Sequence, residues 1–287
     1  MSNLVEMGKK AKSAAVVLAT LPTPVKNKAL LASADALMAA KDDILAKNKE
    51  DVDAALANGI KGAFIDRLTL TEARVADMAD GLRQVAKLDD PVGEVLSMKK
   101  LDNGLVVGQK RVPMGVIGII FEARPNVTAD AFGLCMKAGS AVILRGGKEA
   151  FKTNHAVVNA IRSALAAEGL PEDAVQMVPD TSRETANEMM RLNGYLDVLI
   201  PRGGAGLINS VVQNSTVPVI QTGVGNCHVY VDESADFEKA AKIVINAKTQ
   251  RPSVCNAMEV CLVHSDIARD FLPALKERLC DSREKDP

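Results

Sequence analysis

The stretch Gln250-Arg251-Pro252-Ser253-Val254-Cys255-Asn256-Ala257-Met258-Glu259 sets one cysteine in a turn, after an amphipathic helical run and before an apolar one. A thiolate attacks carbonyl carbon, and a cationic neighbour or the positive end of a helix favours that form. Cys255 reads as lying at the head of a new helical turn with Arg251 close in sequence, which makes it the candidate nucleophile. The ordinary role of a cysteine is that of a small buried hydrophobe. Cys135 and Cys261, each set among apolar residues, fit that role, whereas Cys227 and Cys280 have no informative context. His155, His228 and His264 are scattered and read as structural or exposed. With no CxxC pair and no ligand spacing, neither a disulfide framework nor a metal site is expected.

Two further stretches could hold anions. Arg145-Gly146-Gly147-Lys148 and Pro201-Arg202-Gly203-Gly204-Ala205-Gly206 each follow an apolar run and precede a helical one. Glycines there let phosphate oxygens approach backbone N–H groups, and a cation neutralises them. Neither matches G-x-G-x-x-G, and tight strand-to-helix turns use the same glycines. Two such turns on neighbouring strands strengthen the phosphate reading, with Arg145 and Lys148 placed to discriminate for the 2′-phosphate of NADP. A third stretch, Glu122-Ala123-Arg124-Pro125-Asn126-Val127-Thr128, has two readings. In one, Asn126 or Thr128 caps a helix. In the other, the Asn126 amide joins the Cys255 backbone N–H in an oxyanion hole, a placement worth about 3 kcal/mol in a transition state. Arg124 binds an anionic substrate or pairs with Glu122.

These residues need elements to position them. Residues 3–88 are Ala-rich with apolar residues at helical spacing, broken at Pro22 and Pro24 and again at Asn58-Gly59. Asp102-Asn103-Gly104 followed by residues 105–113 reads as a hairpin turn and strand, an arm outside the main sheet. Strands are then expected at 116–121, 140–145, 174–177, 197–200 and 217–221, alternating with helices at 128–138, 151–168, 183–191 and 205–213. That alternation defines a doubly wound α/β sheet, which binds ligands at the carboxyl ends of its strands. Strands at 229–231 and 260–264 and helices at 237–248 and 267–279 begin a second α/β region, and there is no internal repeat.

Composition narrows the partners. The 287 residues carry 35 Lys+Arg against 36 Asp+Glu, so no overall field draws nucleic acid or an anionic membrane. The absence of Trp and 3% aromatic content argue against base-stacking platforms. No secretory h-region and no membrane-length apolar run is present, and a cytoplasmic location is expected.

Taken together, Arg111-Val112-Pro113-Met114-Gly115-Val116-Ile117-Gly118, Phe121-Glu122-Ala123-Arg124-Pro125-Asn126-Val127-Thr128, Leu144-Arg145-Gly146-Gly147-Lys148-Glu149 and the Cys255 stretch resemble the γ-glutamyl phosphate reductase family of the aldehyde dehydrogenase superfamily. The resemblance runs in order to about Leu279. It implies an aldehyde dehydrogenase-like α/β fold: a Rossmann-type sheet with N-terminal helices, a β-arm and an incomplete second α/β domain. Residues 1–97 and 114–235 would bind NADP, 98–113 would form an oligomerisation arm, 236–279 would begin the catalytic domain, and 280–287 would be a charged tail. It further implies reduction of L-glutamyl 5-phosphate to glutamate 5-semialdehyde in proline biosynthesis, through a thioacyl intermediate on Cys255 with Asn126 as oxyanion donor. Arg145, Gly146, Lys148, Pro201, Arg202, Gly203, Gly204 and Gly206 would lie near NADPH, and Arg124 and Arg251 near the substrate. Implied partners are the acyl phosphate, a second copy of the chain and glutamate 5-kinase. Where hydrolytic relatives carry a glutamate base, this chain has Gln221-Thr222-Gly223-Val224-Gly225-Asn226-Cys227, which suits a reductase that must not hydrolyse its thioacyl group. The rival reading is a nucleotide-binding remnant without turnover, since family members continue beyond the last helix.

Overall fold

The computed structural model of the chain describes residues 3–281, except Val224, Arg251 and Ser253. The chain divides into two compact units, the first ending at Gln221 and the second starting at Thr222.

The first unit opens with five helices: α1 (Asn3–Leu18), α2 (Thr23–Ala39), α3 (Lys41–Ala57), α4 (Ala63–Leu68) and α5 (Glu72–Lys87). Pro24 lies in the first turn of α2, where its missing N–H leaves no bond unmade. Gly59 follows the end of α3 with φ of +80°, a conformation that costs glycine nothing. The break at Ala40 has no sequence signal, because alanine is the strongest helix former and only packing can end a helix there. α1 buries Leu4, Met7, Ala11, Ala14 and Leu18 on one stripe. Its ties are long in sequence: Lys12 Nζ donates to both Asp197 carboxylate oxygens at 2.7 Å, and Gln176 Nε2 donates to the Met7 carbonyl at 2.9 Å.

A buried polar knot joins α2 to the segment after α5. Lys26, 1% exposed, is 2.5 Å from the Asp90 carboxylate, which also accepts from the Thr23 hydroxyl and the Val92 N–H. Burial pushes the Asp90 carboxyl up, but these bonds outweigh it and hold the group below its ordinary range. β1 (Val95–Lys100) and β2 (Val106–Lys110) then form an antiparallel hairpin, exposed along both strands.

The main sheet follows. β3 (Val116–Phe121), α6 (Asn126–Lys137), β4 (Ala141–Arg145), α7 (Phe151–Ala167), β5 (Val175–Met177), α8 (Arg183–Met190), β6 (Val198–Arg202) and α9 (Ala205–Asn214) alternate as expected. The four strands are parallel, in the order β5-β4-β3-β6. All six residues of β3 and the first four of β4 are buried. Since successive side chains point to opposite faces, helices must cover both. The chain steps outward from β3 to β5 and returns to β6 beside β3, so the strand order reverses between β3 and β6. In open α/β sheets the ligand crevice forms at that reversal, beyond the carboxyl ends.

Three expectations need correction. Residues 217–221 form no strand but a single bridge, Leu199 to Val219, because Pro218 has no N–H for a ladder. β6 runs on to Arg202, so Pro201 and Arg202 are strand residues. α6 starts at Asn126, two residues early, and neither expected cap operates: Pro125 precedes the first turn, and the buried Thr128 hydroxyl donates instead to Asn154 Oδ1 at 3.1 Å.

The second unit comprises β7 (Cys227–Val231), α10 (Phe237–Thr249), β8 (Met258–Val263) and α11 (Ser265–Lys276). β7 and β8 pair in parallel, and Val231, Met258, Val244, Phe271 and Leu275 form their core with the two helices. Asp236 caps α10 by accepting from the Lys239 N–H at 2.8 Å, and His264 Nδ1 caps α11. The charged tail expected over 280–287 lies outside the described residues from 282 onward.

Candidate active site

The first unit gathers its expected site residues at the strand-order reversal. Phe121 ends β3, and Glu122, Arg124 and Asn126 follow it directly; Arg202 ends β6, and Gly203, Gly204 and Gly206 lead into α9. The two strand ends are in register, with Phe121 opposite Arg202. The Glu122 N–H donates to the Arg202 carbonyl at 3.2 Å, and the Glu122 carboxylate accepts from the Gly204 N–H at 3.2 Å. A carboxylate therefore sits on the amide of the residue that precedes α9, where the helix dipole and an N–H without a helical partner both favour an anion. Gly203 is required by this contact: a Cβ there would come within 2.7 Å of the Glu122 carboxyl carbon. Gly206 has open space around it. Nothing in the sequence singled out Glu122 as the group on this amide, since only the pairing of β3 with β6 brings it there.

Asn126 is exposed on the first turn of α6, and its Nδ2 donates to Asp130 Oδ2 at 3.1 Å. Asp130 is open to solvent as a residue, yet its carboxyl lies against protein atoms that push it up, opposed by the Asn126 bond and the charge of Arg202. The Asn126 amide is thus oriented by a neighbour on its own helix. Arg124 is exposed, three residues beyond the strand end, and its N–H donates to the Glu122 carbonyl at 2.7 Å.

The turn after β4 does not lie on a strand next to β6, as the sequence reading expected, because β3 runs between them, and it is built differently. Arg145 Nη2 donates to the carbonyls of Thr181 at 2.5 Å and Ser182 at 3.1 Å, so its guanidinium ties β4 to the loop before α8. Burial pushes it below its ordinary pKa, and Nε is buried without a partner among the described residues. Gly146 is packed so closely that a Cβ would lie 2.3 Å from the Asn154 amide nitrogen. Lys148 is exposed and borders a cavity of about 340 Å³ shared with Asp51, Asn58, Ile60 and Glu149.

Cys255 lies in the second unit, exposed, in the turn between α10 and β8. No helix starts there, since β8 begins three residues later, so a helix dipole does not act on this thiol as the sequence suggested. Arg251 falls outside the described residues. Cys227 is the neighbour that sequence reasoning overlooked: its Sγ donates to the Cys255 carbonyl at 3.4 Å, a contact created by the β7–β8 pairing. Cys135 is buried, which pushes its thiol up to about 12, and Cys261 is half-buried and also raised by burial. His155 stacks on Phe151, and His228 contacts the Asn226 carbonyl. Glu233, His264 and Asp266 each place one donor atom within 4.8 Å of the others, but the His264 nitrogen already accepts from the Asp266 N–H.

A parallel sheet with a reversal crevice, joined to a second α/β unit that carries an exposed cysteine, is an architecture shared with aldehyde dehydrogenases. The profile of the aldehyde dehydrogenase family matches residues 3–287. Among curated relatives, the γ-glutamyl phosphate reductase of Carboxydothermus hydrogenoformans is 61% identical over 97% of this chain and 67% of its own length. That of Clostridium botulinum (strain Alaska E43) is 57% identical over 99% of this chain and 69% of its own. The crystal structure of the Thermotoga maritima γ-glutamyl phosphate reductase superposes with a TM-score of 0.91 at 46% identity, covering 98% of this chain and 68% of that one. The chain belongs to the aldehyde dehydrogenase family, within its γ-glutamyl phosphate reductase branch. It spans about two thirds of the length of these relatives. Among the described residues no helix is long and apolar enough to cross a membrane.

Proposed function

We propose that the chain catalyses NADPH-dependent reduction of L-glutamyl 5-phosphate to L-glutamate 5-semialdehyde with release of phosphate, in the cytoplasm, as a step of proline biosynthesis. The observation that carries this reading is the 61% identity to a γ-glutamyl phosphate reductase across nearly the whole chain. In the proposed reaction the Cys255 thiolate attacks the acyl carbon and phosphate leaves, giving a thioacyl enzyme. Asn126 donates to the oxygen that becomes negative as the carbon turns tetrahedral. Arg124 and Arg251 meet the anionic groups of the substrate.

One observation supports an anionic dinucleotide in the crevice: the Gly204 N–H already donates to a carboxylate, as it would to a phosphate oxygen. Gly203, Gly204 and Gly206, with Pro201 and Arg202 at the strand end, would hold the pyrophosphate; Gly146 and Lys148 would border the ribose side. Arg145 contributes to NADP preference through its charge, although two of its bonds go to backbone carbonyls. NADPH, when bound, supplies the hydride that takes the thioacyl group to the aldehyde level.

A second reading, nucleotide binding without turnover, draws on the second unit, where Tyr230 and Leu262 stand exposed side by side on the sheet. One experiment separates the two. Purified chain is mixed with glutamate 5-semialdehyde, phosphate and NADP, and NADPH absorbance is followed beside a Cys255→Ser control. The reductase reading expects phosphate-dependent NADPH formation that the substitution abolishes. Soluble protein that binds NADPH but gives no signal establishes the second reading.

A further inference from the structure

We propose that Cys227 is a resolving thiol for Cys255, so that peroxide converts the pair into a reversible disulfide that closes the nucleophile. The protective meaning of this bond rests on the reading of Cys255 as the nucleophile; its formation does not.

The geometry singles out these two cysteines. Cys227 is the first residue of β7 and pairs with Met258, the first residue of β8, three positions after Cys255. The ladder register shifts between Cys227 and His228, a bulge that turns the start of the strand away from the regular pleat. The Ala257 N–H donates to the Val254 carbonyl at 3.2 Å, closing a turn with Cys255 at its tip. The lead into β7 is pressed against that turn: a Cβ on Gly225 would lie 2.9 Å from the Cys255 carbonyl oxygen. Cys227 Sγ reaches the same oxygen at 3.4 Å. A disulfide needs Cα atoms roughly 4.4–6.8 Å apart. The thiol-to-carbonyl contact brings the two residues within reach of that span through rotation of the exposed Cys255 side chain and a small shift of its turn.

The remaining cysteines are poorly suited. Cys135 is buried and Cys261 faces the β7–β8 core, while Cys280 lies on the turn that follows α11. A sensor thiol is accessible and stands beside a resolving one, and Cys255 with Cys227 meets both conditions.

The chemistry balances with one peroxide. The Cys255 thiolate attacks a peroxide oxygen, the O–O bond breaks, and the sulfur is oxidised by two electrons to the sulfenic acid while hydroxide leaves and takes a proton from solvent to become one water. The Cys227 sulfur then attacks the sulfenic sulfur, an S–S bond forms, and the departing hydroxyl takes the thiol proton away as a second water. A dithiol reductant restores both thiols by exchange.

The test is peptide mapping of native chain after hydrogen peroxide, with free thiols capped by iodoacetamide before digestion. The expected product is a peptide joining Cys227 to Cys255, lighter by two hydrogens and lost on dithiothreitol treatment. In Cys227→Ser the linkage is absent, and Cys255 gains two oxygens several-fold faster than in the unsubstituted chain. Equal oxidation of Cys255 in both proteins, or linkage to another cysteine, overturns the proposal, and the map of the unsubstituted chain decides this even if the variant folds poorly. A Cys227–Cys255 peptide from protein that makes no NADPH in the reverse assay leaves the proposal standing and removes the reductase reading. Phosphate-dependent NADPH formation without that peptide does the opposite.

Discussion

The two parallel sheets of this chain rest on unequal support. In the first, every residue of β3 is buried and helices close both faces. In the second, Val229, Val231, Cys261 and Val263 face α10 and α11, while Tyr230 and Leu262, paired across the strands, are 57% and 49% exposed. Parallel strands are normally covered on both sides. The contrast separates two kinds of expected site residue. Those at the strand-order reversal are positioned by a packed sheet and by bonds such as Glu122 to Gly204. Cys255 sits on a turn that enters a sheet with one open face, and its neighbourhood is set by a few local contacts.

The contrast is broken or sharpened by substitutions in each unit. The largest effect is expected for Asp90→Ala, which leaves the buried Lys26 charge without its partner; about 3–5 kcal/mol of stability should be lost. Hydrogen exchange resolved by peptide should place that loss in residues of the first unit, with those of the second unchanged. Equal acceleration in both would mean that the units unfold as one and that the comparison fails. Asp236→Ala removes the cap of α10 and should cost about 1 kcal/mol, read as faster exchange in residues 237–249. Leu262→Ser, on the open face, should change stability by no more than about 0.5 kcal/mol in urea unfolding. A larger loss would show that this face is covered in solution.

The smallest effect appears only in acid. Hydrogen bonds from Thr185 and Ser182 hold the Asp180 carboxyl down to about 2, and Ser182 caps α8 in the same cluster. Because the folded value is depressed, this group contributes stability above the ordinary carboxylate range, and the contribution disappears as pH falls from about 4 toward 2. Ser182→Ala should therefore narrow the gap in thermal midpoint between pH 6 and pH 3, followed by circular dichroism.

Much of the fold was legible because its elements announce themselves by pattern. The run at 116–121 is apolar and β-branched, α1 repeats its buried residues at helical spacing, and Gly59 marks a helix end. β1 was not legible as a strand, since Val95, Leu96 and Met98 are all exposed and show no alternation of inside and outside. The strand expected at 217–221 failed on Pro218. Of the site, residue types drew attention to Cys255, Asn126 and the two glycine turns, but side-chain partners are set by tertiary pairing. The occupation of the Gly204 N–H by Glu122, the two backbone bonds of Arg145 and the approach of Cys227 to Cys255 all depend on which strands lie side by side, and no local spacing encodes that.

The tie between Lys12 and Asp197 also bears on how the chain is made. The two residues are 185 apart in sequence, so at about 5–20 residues per second the ribosome needs roughly 10–40 s between them. During that interval α1 has been synthesised but lacks its anchor just before β6, and the strands it packs on arrive only as synthesis passes β3, β4 and β5. A helix made before the strands it packs on is thus locked in place late, which leaves its apolar stripe open to chaperone binding over that interval.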